Sequence, residues 1–104
     1  LAARADVPRL LATIHEAAVA SGLFVEADIK VRLRPYAESI VAGAPGDFVH
    51  VFAHVMEGRT VEQRRALAEA VVRALRDLLP DVPVVSVNVS EFERATYANL
   101  ETVG

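Results

Sequence analysis

No cysteine occurs anywhere in the 104 residues. That single absence excludes disulfide scaffolds, thiolate metal sites and cysteine nucleophiles. A basic excess is missing too: eleven Lys and Arg stand against fourteen Asp and Glu, for a formal net charge of −3. A general phosphate-backbone binder needs a cationic face to release counterions, so no nucleic-acid partner is expected. No apolar run reaches the roughly 18–20 residues of a membrane span, and no signal-peptide pattern opens the chain. The expectation is therefore no membrane partner and a cytoplasmic location. Glycine and proline number only five each, and with 24% charged residues the composition is not that of a disordered chain. Apolar residues are abundant at 53%, enough for one buried core in a single domain over residues 1–104.

The apolar residues are arranged with two different periods. Val7, Leu11, Ile14 and Ala18 recur at helical spacing, and Leu10 and Ala17 widen the stripe. Asp6 is suited to cap this helix, Pro8 to its first turn and Gly22 to its end. From Ile29 to Arg34 the period drops to two. Ile29, Val31 and Leu33 alternate with Lys30, Arg32 and Arg34, which predicts a strand with one buried and one cationic face. Pro35 disturbs it, and Ala42 to Asp47 read as a loop. Phe48 to Met56 is apolar at nearly every position except His50 and His54, the pattern of a central strand covered on both faces.

Gly58-Arg59 ends that strand, and Thr60 with Gln63 forms a capping box for a helix from Val61 to Leu79. Leu67, Val71, Ala74, Leu75 and Leu78 share one face of it. Glu62, Arg64, Arg65, Glu69, Arg73 and Arg76 form the other, which reads as solvated. Pro80 stops the helix, and a strand follows from Val84 to Phe92, with Val85, Val87 and Val89 alternating with Ser86, Asn88 and Ser90. Residues 48–90 thus form a strand–helix–strand unit, which requires a parallel pair and a crossover. Residues 6–34 read as the same unit without its leading strand. Leu1-Ala2-Ala3-Arg4 is too short to supply one, so the expectation is that a first strand precedes Leu1 or that the fold has lost it.

Three features could carry chemistry. Gly58-Arg59-Thr60 places a guanidinium at a helix N-terminus, a small-anion anchor, although many helices simply begin near an arginine. Lys30, Arg32 and Arg34 put three like charges on one strand face. They either guard a sheet edge or line a pocket that takes anions. His50 and His54 share a strand face roughly 13 Å apart, too far for one metal ion. His15 lies mid-helix and is expected to be exposed. All three histidines read as structural or surface residues, and no metal or other cofactor is expected. No Ser-His-Asp order, phosphate loop or HExxH pattern occurs.

Taken in order, Ala5-Asp6-Val7-Pro8 with Leu10, Ser21-Gly22-Leu23-Phe24, Phe48-Val49-His50, Gly58-Arg59-Thr60-x-Glu62-Gln63-Arg64 and Ser86-Val87-Asn88-Val89 resemble the tautomerase superfamily. Within it, the match is closest to the 5-carboxymethyl-2-hydroxymuconate isomerases. The resemblance implies an α/β (α+β) fold of two βαβ units related by pseudo-twofold symmetry and usually assembled as a homotrimer. It implies an isomerase of aromatic-compound degradation that moves a proton between enol and keto forms of a small anionic substrate. The base of that family is an N-terminal proline. An α-amino group titrates at about 7.7–8.0, and neighbouring cations disfavour its protonated form.

Carried over by position, Arg59 matches the arginine of the family's Gly-Arg-Ser/Thr turn, and Arg32 or Lys30 the cation after the first helix. Arg34 and Asn88 complete the implied substrate-binding set. Asn88 departs from the arginine that the small 4-oxalocrotonate tautomerases carry there. Leu1-Ala2-Ala3 corresponds to the loop after the family's first strand, so the proline would lie upstream. The element order also admits a non-catalytic ferredoxin-like module that binds a ligand or serves oligomerisation.

Overall fold

A computed structural model describes residues 6–104. The expectations placed on Leu1 to Ala5, including the missing first strand, lie outside the described residues. Asp6 accepts a hydrogen bond from Arg9 N and opens α1, Val7–Ala20. Ser21 caps the far end, and Gly22, at φ +72°, turns the chain away as only a residue without Cβ does cheaply. A 3₁₀ turn, Glu26–Asp28, follows. Then come a small hairpin of β1 (Ile40–Val41) and β2 (Ala44–Pro45), the strand β3 (Phe48–Met56), the helix α2 (Val61–Leu78), the strand β4 (Val84–Phe92), a second 3₁₀ turn (Arg94–Thr96) and the short helix α3 (Leu100–Val103).

The fold is mixed α+β, and among the described residues its one complete βαβ unit is β3–α2–β4. The two strands run parallel, with Phe48 opposite Val84 and Met56 opposite Phe92. The capping box forms as read: Thr60 Oγ1 accepts from Gln63 N, and the Gln63 side chain accepts from Thr60 N. α2 lies against β4 and α1 lies against α2. The core gathers Leu10 of α1, Val55 of β3, Leu67, Val71 and Leu75 of α2, and Leu79 and Val82 of the connector. Leu75 is completely buried. Among the described residues, no helix is long and apolar enough to cross a membrane.

Three expectations change. The segment from Ile29 to Arg34 keeps its alternation, with half-buried Ile29, Val31 and Leu33 between exposed Lys30, Arg32 and Arg34, but it is not a strand. A strand exists only through a ladder, and this segment has no hydrogen-bonded neighbour among the described residues. Second, β3 is not covered on both faces. Val49, Val51 and Val55 pack on the core, whereas Phe48, His50, Phe52 and His54 are exposed, Phe52 to 71%. A nearly unbroken apolar run shows that a strand can be buried on both faces, not that a partner covers each of them. Third, the region read as a loop, Ala42 to Asp47, holds the turn and the second strand of the β1–β2 hairpin. Ala42 and Gly43 turn it with φ of +53° and +85°, the pair of positive values a type I′ turn needs. Ser39 closes its base, its hydroxyl donating to Gly46 O.

Candidate functional site

Gly58 adopts φ +114°, a value side chains disfavour, and this sharp reversal places Arg59 between the end of β3 and the N-cap of α2. The side chain does not extend into solvent. Nη1 donates to Met56 O at 3.0 Å, and Nη2 donates to Leu23 O at 2.7 Å. The guanidinium carbon also lies 4.9 Å from the centre of the Phe24 ring, within cation–π range. Arg59 therefore joins the exit of α1 to the β3–α2 turn. A guanidinium has five N–H donors, so three are left over after these two bonds, held in a fixed plane. The arrangement is a pre-set cation with spare donors, which is what a carboxylate requires.

Leu23 and Phe24, the seat of this arginine, belong to the Ser21-Gly22-Leu23-Phe24 stretch but were assigned no role from sequence. An aromatic residue directly after a helix-ending glycine was the available signal. The Leu23 carbonyl faces Arg59 because the Gly22 turn is itself held, with Leu23 N donating to Ser21 Oγ at 3.2 Å.

The second group of nominated residues begins just downstream. Lys30 reaches back to Asp28 O at 3.4 Å. Arg32 and Arg34 are exposed and make no hydrogen bond or ion pair with any described residue. They are thus free to take an anion, whereas Arg59 is partly engaged. Asn88 is placed differently. It projects from the uncovered face of the β3–β4 sheet, opposite Phe52 in register, and donates to Ser90 Oγ at 3.4 Å. The structure therefore brings Arg59 to the α1 exit that leads into the cationic segment, and puts Asn88 on a sheet face shared with His50, His54, Ser86 and Ser90.

The histidines behave in three ways. His50 Nδ1 is 2.6 Å from Ser86 Oγ, and its ring meets Phe52 edge-on with centroids 4.4 Å apart. His54 is exposed. His15 is not the free surface residue expected: it is half-buried, with Nε2 2.8 Å from Glu26 Oε2. Among the described residues, no group of three metal-ligating side chains comes together.

Arg64 also corrects the sequence reading. It is not on the solvated side of α2. Its Nη2 pairs with Glu91 at 3.5 Å, and its Nε is buried with no hydrogen-bond partner among the described residues. The helical period itself holds the clue, since residue 64 precedes Leu67, Val71 and Leu75 by steps of three and four along one face. Near the same turn, Glu57 accepts from Arg94 N at 3.3 Å, and Phe92 stacks on Tyr97 at 5.1 Å, so the chain after β4 is tied beside the Arg59 loop. A shallow concavity of about 530 Å³ between the start of α1 and the end of α2 contains none of the nominated residues.

A sequence model of the family described as 5-carboxymethyl-2-hydroxymuconate isomerase matches residues 1–99. No curated protein gives a match to the chain.

Proposed function

The chain belongs to the 5-carboxymethyl-2-hydroxymuconate isomerase family, in the tautomerase superfamily, and from that premise we propose that it transfers a proton between the enol and keto forms of a small conjugated carboxylic acid such as a carboxymethyl-hydroxymuconate. The family is one of isomerases. In this scheme a neutral N-terminal proline takes the proton of the 2-hydroxyl group. The electron pair spreads through the diene as a dienolate, and the same amine returns the proton to carbon. No atom is gained or lost, and no cofactor enters the scheme.

Cations have two tasks in this reaction. They hold the substrate carboxylates, and they stabilise the negative charge that grows on the conjugated oxygen. Arg59 and Arg32 are assigned these tasks, with Lys30 and Arg34 adding positive potential and Asn88 a neutral donor. Arg59 is suited to transition-state work because its anchoring to Met56 O and Leu23 O fixes its plane before substrate arrives. Arg32 is exposed and unpaired among the described residues, so it is suited to capture. The subunits assemble as a homotrimer, and the setting is aromatic-compound degradation in the cytoplasm.

The observation that supports this reading most is the family match over nearly the whole chain. Its test uses the protein with its native amino terminus, followed by loss of the enol absorbance of a 2-hydroxydienoate. Wild-type protein should accelerate ketonisation, blocking the terminal amine should abolish the acceleration, and Arg59→Ala should lower kcat/KM by about 10²-fold. Equal rates with free and blocked amine would remove the proposed base. One observation favours a second reading, a non-catalytic module that binds a ligand or supports assembly: two of the Arg59 donors already serve the fold. In that case a muconate-type dianion binds and is recovered unchanged.

A further inference from the structure

The cationic segment is held at its root by a side chain from α1. His15 Nε2 stands 2.8 Å from Glu26 Oε2. Glu26 opens the 3₁₀ turn, and the turn is closed by two backbone bonds, Asp28 N to Val25 O at 2.9 Å and Ile29 N to Glu26 O at 3.0 Å. Ile29 is also the first residue of the alternating run that presents Lys30, Arg32 and Arg34. The chain of contacts therefore runs from a packed helix, through one carboxylate, to the first peptide of the cationic segment. Among the described residues this segment has no ladder to fix it, and Leu33 is its only member packed against the core cluster. Among the described residues, its placement rests on the 3₁₀ turn at its start and on Leu33.

We infer that His15 is a positioning residue: through Glu26 it sets where the 3₁₀ turn sits and so where Lys30, Arg32 and Arg34 are presented. This rests on the reading that those cations grip the substrate anion. The contact also engages a carboxylate four residues before Lys30, which otherwise competes with the substrate for positive charge. With His15 33% and Glu26 69% exposed, the pair is a half-exposed one, and such pairs add little to global stability. Its effect is local: it removes alternative placements of a segment that has few other constraints.

The experiment compares full-length wild-type protein with His15→Leu, His15→Gln, Glu26→Ala and the double variant His15→Leu/Glu26→Ala. Amide hydrogen exchange is read at Asp28 and Ile29, whose backbone bonds close the 3₁₀ turn, with residues 48–56 of β3 as the internal reference. Steady-state kinetics are measured on a 2-hydroxymuconate-type dianion. His15→Leu should speed exchange at Asp28 and Ile29 severalfold, leave β3 unchanged, and raise KM about three- to fivefold with kcat within twofold. His15→Gln, which keeps a donor for Glu26, should recover most of both effects. The double variant should be no worse than either single one, as expected for two groups acting through one contact.

Unchanged exchange at Asp28 and Ile29 in both His15→Leu and Glu26→Ala overturns the proposal, with or without activity. Faster exchange with an unaltered KM leaves the positioning role standing and removes the cations from substrate binding. Exposed Glu26 guards the test against loss of fold, because its replacement touches no core residue.

Discussion

Val85, Val87 and Val89 alternate with polar residues just as Ile29, Val31 and Leu33 do, yet the two segments reach different states. The first lies in a parallel ladder with β3 and under α2, whereas the second is extended chain with no ladder partner among the described residues. Alternation fixes which side chains turn inward, and it did so in both places. Whether a ladder forms depends on a neighbour elsewhere in the chain, which a local pattern does not report. The β3–α2–β4 half is stabilised by packing and by hydrogen bonds that support each other. The α1-to-Arg34 half is stabilised by one helix face and a few tethers: Arg59 to Leu23, His15 to Glu26, and Leu33 against the core.

Truncation at equivalent apolar positions should separate the halves most clearly. Leu75→Ala empties a fully buried position and should cost about 3–4 kcal/mol in urea unfolding. Leu33→Ala removes a half-buried contact and should cost about 1 kcal/mol or less. Equal losses would mean that both halves belong to one core. The tether between them comes next. Arg59→Ala leaves the Leu23 and Met56 carbonyls without their charged donor, and the same unfolding experiment should register about 1–2 kcal/mol. Arg59→Lys retains the charge but not the two-pronged geometry, and should recover only part of that loss.

Smaller effects sharpen the contrast further. Thr60→Ala deletes one arm of the α2 capping box and should lower stability by about 1 kcal/mol. Ala42→Gly goes the other way. Ala42 sits at φ +53° in the hairpin turn, so glycine removes backbone strain there and should raise the thermal midpoint slightly, by about 0.5 kcal/mol in free energy. Arg32→Ala should leave the unfolding curve nearly unmoved while weakening dianion binding, since its exposed side chain has no partner among the described residues.

The sequence was most readable where the signals were local. Phe48–Met56 and Val84–Phe92 match the expected strands end to end, and α2 stops one residue short of the expected Leu79. Caps, prolines and periodicity act within a few residues, so they can be read from the chain directly. Three other features depend on contacts across the chain. The seat of Arg59 needs Leu23, thirty-six residues away, and the pair to His15 is eleven residues distant. The bare face of β3 could not be foreseen because Phe48 and Phe52 have the composition of buried residues whether or not anything covers them. Of the candidate site, the Gly58-Arg59-Thr60 turn was legible as a cation at a helix start. Its engagement with two backbone carbonyls was not, because neither carbonyl has a side-chain signature.

The parallel register has a consequence for how the chain folds. Ladder partners such as His50 and Ser86 are thirty-six residues apart, with all of α2 between them. Neither strand can find the other cheaply while that intervening stretch is a free loop, since closing it costs entropy before any pairing is gained. Once α2 has wound into a rod, the search becomes short. Substitutions that weaken winding at its solvent side should therefore slow refolding more than they hasten unfolding, and changes at the strand termini should do the reverse.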